Sequence, residues 1–183
     1  MDRQEALELL KQHLKNQNLF KHCLAVEAIM RELARELGKD EEKWGLVGLL
    51  HDIDYEKTMD KPETHGVLAE EILKGKVDEE IIHAIKSHNF EHTGVVPSTD
   101  MEKALVAADA LSGLLIACAL VMPDKKLASV KVKTVKKKFK QKDFARRVNR
   151  NLILVCRHLG IDEEKFFEIG LRALQKIANE LGL

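Results

Sequence analysis

Residues 104–122 read ALVAADALSGLLIACALVM, nineteen residues that are nearly all apolar. That is the length of a membrane span. Asp109 lies inside the stretch, with Ser112 and Gly113 close behind it. A carboxylate near the middle of a span costs about 2.5–3.5 kcal/mol on insertion scales. The sequence on both sides is that of an ordinary soluble chain. The stretch is therefore expected to form a helix buried in a soluble core, which leaves Asp109 as the residue needing an explanation.

Helical periodicity extends outward from this segment. Ala6, Leu7, Leu10 and Leu14 mark a helix over 4–14, and Leu24, Ile29, Leu33 and Leu37 mark one that stops at Gly38. Asp40 opens a further helix through Trp44, Val47, Leu49 and Leu50 to His51. HDIDYEKTMDKPE reads as a loop. Pro62 is expected to open a helix that runs to Gly75, followed by one over 78–90 and the loop HTGVVPSTD. Helices over 143–159 and 162–181 close the chain. SVKVKTV, residues 129–135, alternates and fits a short strand or the start of a basic helix equally well. The expected fold is all-α: a single-domain helical bundle over 1–183, with the basic segment and C-terminal helices packed on it.

The chain has 183 residues, with 30 basic and 30 acidic side chains and 4% aromatics. It is too apolar for a disordered class and too poor in aromatics for a base-stacking sheet. Cys23, Cys118 and Cys156 lie far apart with no C-x-x-C pair, as reduced thiols of a cytoplasmic protein would. The N-terminus has no signal-peptide pattern, and no membrane association is expected. Charge is unevenly spread. Residues 1–124 hold 14 basic and 24 acidic residues, whereas 125–150 hold 12 basic and one acidic.

His51 and Asp52 are adjacent at the end of an apolar helix. On a continuing helix they would diverge by about 100°, but HDID begins a loop, so both side chains are free to face one ion. His22 lies near the start of its own helix. Asp109, inside apolar surroundings, wants a metal, an arginine or a helix N-terminus. Two imidazoles and two carboxylates suit a borderline to hard divalent ion such as Mn, Fe, Co, Ni or Zn. His83 is about 140° from His88 around its helix and reads as an ordinary histidine. His13 and His158 read as surface residues.

The order His22, His51-Asp52, Asp109 resembles the H…HD…D signature of the HD superfamily of metal-dependent phosphohydrolases, over roughly residues 20–115. The resemblance implies an all-helical bundle with metal at its centre. THGVLAEEIL, with His65, and IIHAIKSHNFEH, with His88, are similar to the further ligand helices of the binuclear members. By that resemblance His65 and His88 hold a second ion and Asp52 bridges the two. One or two divalent ions (Mn, Fe, Co, Ni, Zn or Mg) are thus expected, with Asp52 catalytic. Asp54 is the candidate for an acid/base role or for orienting a ligand from behind. The same ligand set is also similar to that of di-iron oxygenases of this fold.

His92 stands four residues after His88, as a ligand or a substrate contact. In the basic segment 125–150, Arg147 and Arg150 lie three apart on one helical face, suited to bidentate phosphate contacts. A solvated lysine face and a nucleic-acid patch are the other readings of that segment, and nucleic acid is not expected because no nucleic-acid fold accompanies it. The functional expectation is hydrolysis of a phosphoester, a nucleotide or other small phosphorylated metabolite, by a metal-activated water. The non-enzymatic alternative is a nucleotide or nucleic-acid binding module built on the basic segment.

Overall fold

Well-defined caps start the long helices. In the computed structural model, which describes residues 1–183, Asp2 and Glu5 form a capping box on α1 (Arg3–His13). Asn16 caps α2 (Gln17–Leu37), and Asp40 caps α3 (Glu41–Leu50). These side chains accept from backbone N–H groups that have no partner within the first helical turn. Gly38, at φ 64°, ends α2 in the left-handed conformation that glycine adopts without steric cost.

Short elements come next. These are α4 (Tyr55–Thr58), a 3₁₀ turn at Pro62–Thr64, α5 (Val67–Leu73), α6 (Glu79–His88) and α7 (Phe90–Thr93). The helix expected to begin at Pro62 is therefore broken. Gly66, at φ 88°, turns the chain between the 3₁₀ turn and α5, with Lys86 Cα 3.2 Å from where a Cβ would stand.

The apolar stretch is α8 (Asp100–Leu120), opened by a Thr99–Glu102 capping box. It is long and apolar enough to cross a membrane, and most of it is buried inside the fold. It packs against α2, α3 and α6. Like α3, it carries apolar residues on every side, as a helix at the centre of a bundle must. The basic segment is helical, not a strand. A 3₁₀ turn at Leu127–Ser129 leads into α9 (Val132–Lys140), whose Val135 is fully buried.

The helix expected over 143–159 is absent. Residues 142–147 form turns, followed by α10 (Arg150–Ile153) and a 3₁₀ stretch at Leu154–Leu159. Arg150 explains the departure. Its guanidinium donates to the carbonyls of Lys138, Phe139, Gln141, Phe144, Ala145 and Val148, and so winds the chain around itself. Ala145 is held at φ 46° in that loop. The last expected helix divides into α11 (Glu163–Lys176) and α12 (Ala178–Leu181).

The closest helix pairing is α2 with α3. A Cβ on Gly48 would stand 2.9 Å from Glu27 Cα, Glu27 N and Val26 O, all backbone atoms that cannot swing aside. Gly48→Ala must therefore push the two helices apart. We expect a loss of about 1–3 kcal/mol and a melting temperature lower by roughly 2–4 °C for each of them. A circular-dichroism melt that superposes on that of the unsubstituted chain would refute the close-packing account.

Candidate metal centre

Five segments each bring part of one polar cluster. α2 supplies His22. The end of α3 and the turn after it supply His51 and Asp52. His65 comes from the bend before α5, His88 from the last residue of α6, and Asp109 from α8. The remaining acidic and histidine candidates stay outside.

The cluster has two halves. On one side His22 Nε2 lies 3.1 Å from His51 Nε2, 3.1 Å from Asp109 Oδ1 and 3.4 Å from Asp52 Oδ2. His51 Nε2 is 3.5 Å from the same Asp52 oxygen. On the other side Asp52 Oδ1 is 3.2 Å from His65 Nε2 and 3.5 Å from His88 Nε2, and those two nitrogens are 3.0 Å apart. Donor atoms around one ion at about 2.0–2.2 Å stand roughly 3.0–3.6 Å from one another. The spacings within both halves are close to that range, the longest being His51 Nε2 to Asp109 Oδ1 at 3.9 Å, and two overlapping groups, His22, His51 and Asp109, and His51, Asp52 and His88, have donor atoms close enough to hold an ion.

The opposite ring nitrogens decide the tautomers. His51 Nδ1 donates to Gly48 O at 2.7 Å, and His88 Nδ1 donates to Ile85 O. His65 Nδ1 donates to Asp54 Oδ1 at 2.8 Å. His22 Nδ1 faces Ser112 Oγ at 3.3 Å, whose own hydroxyl donates to Asp109 O. With every Nδ1 engaged as a donor, each neutral ring turns a bare Nε2 lone pair inward. Four nitrogens and three carboxylate oxygens then converge. Acceptors packed this closely require cations between them, and nitrogen and oxygen donors of this kind suit divalent ions.

The electrostatics agree. Burial lowers the pKa of His22, but the Asp109 and Asp52 carboxylates outweigh it and hold it up to about 9. Burial likewise lowers His65, yet Asp52 and Asp54 hold it up to about 10. Those two imidazoles are thus favoured in the protonated form by the carboxylates around them when no metal is bound. At His51 burial outweighs the Asp52 and Asp109 carboxylates and, with the His22 and His88 rings, pushes the imidazole down to about 4. Burial raises the Asp52 carboxyl, but the surrounding imidazoles, His51 and His65 foremost, hold it well below the usual carboxylate range.

Access is graded. The His51 side chain is fully enclosed, Asp52 is 10% exposed, His22 24% and Asp109 35%. The cluster therefore opens on the Asp109 side. Cys23, next to His22 in sequence, is fully buried, and its thiol is pushed well above its ordinary pKa by burial and then by Asp52.

Asp54 has no role facing a substrate. It is fully buried, and its carboxylate accepts from His65 Nδ1 and from the N–H groups of Gly66 and Ala69. Of the two roles expected for it, the geometry leaves only the orienting one. His92 is exposed, and its Nδ1 pairs with Asn89 Oδ1. Asn89 in turn donates to His65 O, which links His92 to a cluster residue through one intermediary. Arg147 is exposed. Arg150 corrects the paired phosphate clamp, because six backbone carbonyls already engage its guanidinium. Ser112, Gly48 O and Ile85 O orient rings and carried no signal in the sequence beyond Ser112's polarity within an apolar helix.

Comparison with known proteins agrees with this geometry. The HD domain family profile matches residues 19–114. Ribonuclease Y 2 of Bdellovibrio bacteriovorus is 37% identical over 100 residues, 53% of this chain and 18% of its own length. Ribonuclease Y of Oleidesulfovibrio alaskensis is 35% identical over 99 residues (54% and 18%), and that of Mycoplasma mycoides 36% over 97 residues (52% and 22%). The chain spans less than a quarter of the length of these relatives. No solved structure gives a significant match.

Elemental mass spectrometry of untagged protein tests the two halves directly. We expect about two ions per chain, falling towards one in His88→Ala, since Asp52 Oδ2 still serves the other half. Asp54→Asn should weaken the second ion about 10–100-fold by loosening the His65 ring. A stoichiometry of one in the unsubstituted chain and in both variants would exclude the two-ion arrangement.

Proposed function

Because the chain belongs to the HD-domain family, a superfamily of metal-dependent phosphohydrolases, we propose that it hydrolyses a phosphodiester of the nucleotide class at the cluster around Asp52. The observation that carries this reading is the division of that one carboxylate, with an oxygen for each half of the cluster.

His22, His51, Asp52 and Asp109 would hold one divalent ion, and Asp52, His65 and His88 the other. Ions so held lower the pKa of a bound water from 15.7 towards about 7 and stabilise charge on the leaving oxygen. The chain's own residues do the rest. Asp54 and the two helix-end carbonyls fix the His65, His51 and His88 rings, so that little reorganisation is left for the reaction. The enclosed floor at His51 excludes bulk water, and the exposed Asp109 edge admits the phosphoester. His92 and Arg147 stand as candidate substrate contacts. The relatives' name, Ribonuclease Y, fits a phosphodiester of a polynucleotide, and the small size of the match leaves mononucleotide and cyclic diesters within the same class.

The test is turnover of bis(p-nitrophenyl) phosphate and of short oligonucleotides by protein loaded with Mn, Co, Ni, Zn or Mg. We expect diester hydrolysis with at least one ion, lowered about 100-fold or more in kcat/KM by Asp52→Asn, which keeps the side chain's shape and removes its bridging charge. Absence of hydrolysis with every ion, together with bound iron and oxygen consumption, would replace the hydrolase reading with an oxygenase.

A further inference from the structure

The basic segment lies outside the residues matched by the family profile, and nothing in the metal cluster uses it. Its charge is nearly uncompensated. Among the twelve basic side chains of residues 125–150 one ion pair forms, Lys136 with Glu164. Lys133, Lys137 and Lys140 are exposed on α9 at spacings of four and three, a row about 10 Å long on one face. They line a surface cleft with Lys136 and Gln141 that contains no apolar side chain. Lys140 also lines the next cleft, together with Lys142, Arg146 and Asn149. Lys140 is common to the two clefts, which adjoin at its side chain.

The second cleft, which Val148 also lines, borders the helix that carries Asp109. Val148 packs over Gly113, its Cγ2 3.2 Å from where a Cβ would stand. Gly113 is one turn along α8 from Asp109, the open edge of the cluster. Arg150 fixes this course by holding the 138–148 carbonyls.

We propose that the Lys133–Lys137–Lys140 row and the Lys142–Arg146 loop form one docking track for a single-stranded nucleic-acid backbone that leads to the Asp109 edge. Three observations select this occupant. The cationic groups run along a row about 10 Å long and on past Lys140 into the second cleft, which fits a chain of phosphates and not a lone phosphate. The apolar side of α9 is turned into the fold, with Val135 enclosed and the partly buried Phe139 ring tilted against Phe167 at a centroid distance of 5.3 Å, so no apolar face remains to enter a lipid surface. Asp52 is nearly enclosed, so a reacting phosphate must bend into a concavity, which a flexible strand does and a duplex does not. The cations of the track address phosphates, which carry no sequence information, so binding is expected to be independent of base sequence. The inference rests on the phosphodiester reading only for the chemistry after docking, because binding is measurable without turnover.

The experiment is fluorescence anisotropy with labelled 12-mers of oligouridylate and oligodeoxythymidylate, on the full chain carrying Asp52→Asn. We expect binding that weakens with salt, with a log–log slope of about −3.5 from the five cations of the track at about 0.7 per phosphate on a single strand. Adding Lys133→Gln, Lys137→Gln and Lys140→Gln together should weaken binding about 10-fold or more and flatten the slope by about two. The same three changes in the otherwise unsubstituted chain should leave hydrolysis of bis(p-nitrophenyl) phosphate as it was. Oligonucleotide binding that the triple change does not touch would overturn the track. So would absence of oligonucleotide binding, or capture by phosphatidylglycerol vesicles instead. Loss of hydrolysis with binding intact would count against the catalytic reading alone.

Discussion

The Asp52 carboxylate sits among four imidazoles, and the rest of the fold is arranged to keep it there. A charge so little exposed is tolerable only with cations or protons beside it. The four rings and Asp109 come from different segments, so α2, the end of α3, the bend before α5, the end of α6 and α8 must meet at one point with errors well below a hydrogen-bond length. The glycine contact between α2 and α3 and the all-round apolar surfaces of α3 and α8 meet that requirement. The buried helices serve as a frame for one carboxylate.

Two of the rings are fixed by an economical device. His51 and His88 both stand at helix C-termini, and each donates Nδ1–H to the carbonyl three residues earlier. Carbonyls in the last turn of a helix have no intrahelical partner. The helix end thus satisfies its own carbonyl and sets the imidazole's tautomer with a single bond. Glu56 adds a longer tie. Its carboxylate accepts from the N–H groups of Lys15 and Asn16, fastening the turn after Asp52 to the start of the helix that carries His22.

Much of this was legible in the sequence. Apolar spacing and capping residues such as Asp40 locate the long helices, because helix ends are set by local chemistry. Asp109 announced itself as a charge in an apolar run, and the histidines by their order. The 141–159 region was not legible, since its course depends on one guanidinium gathering six backbone carbonyls. Backbone acceptors are the same at every residue and leave no pattern to read. Asp54 illustrates the same limit. Its neighbours in sequence suggested reactivity, whereas its partners lie eleven to fifteen residues onward, brought round by the bend at Gly66.

Cys23 sits at the back of the cluster as a buried thiol that does not ionise near neutral pH. Thiolates attract soft ions such as copper(I) and are also what peroxides attack. By keeping its one nearby sulfur protonated and enclosed, the centre presents only nitrogen and oxygen to an incoming ion. Thiophilic metals gain no advantage there, and the cluster has no sulfur ligand to lose to oxidation.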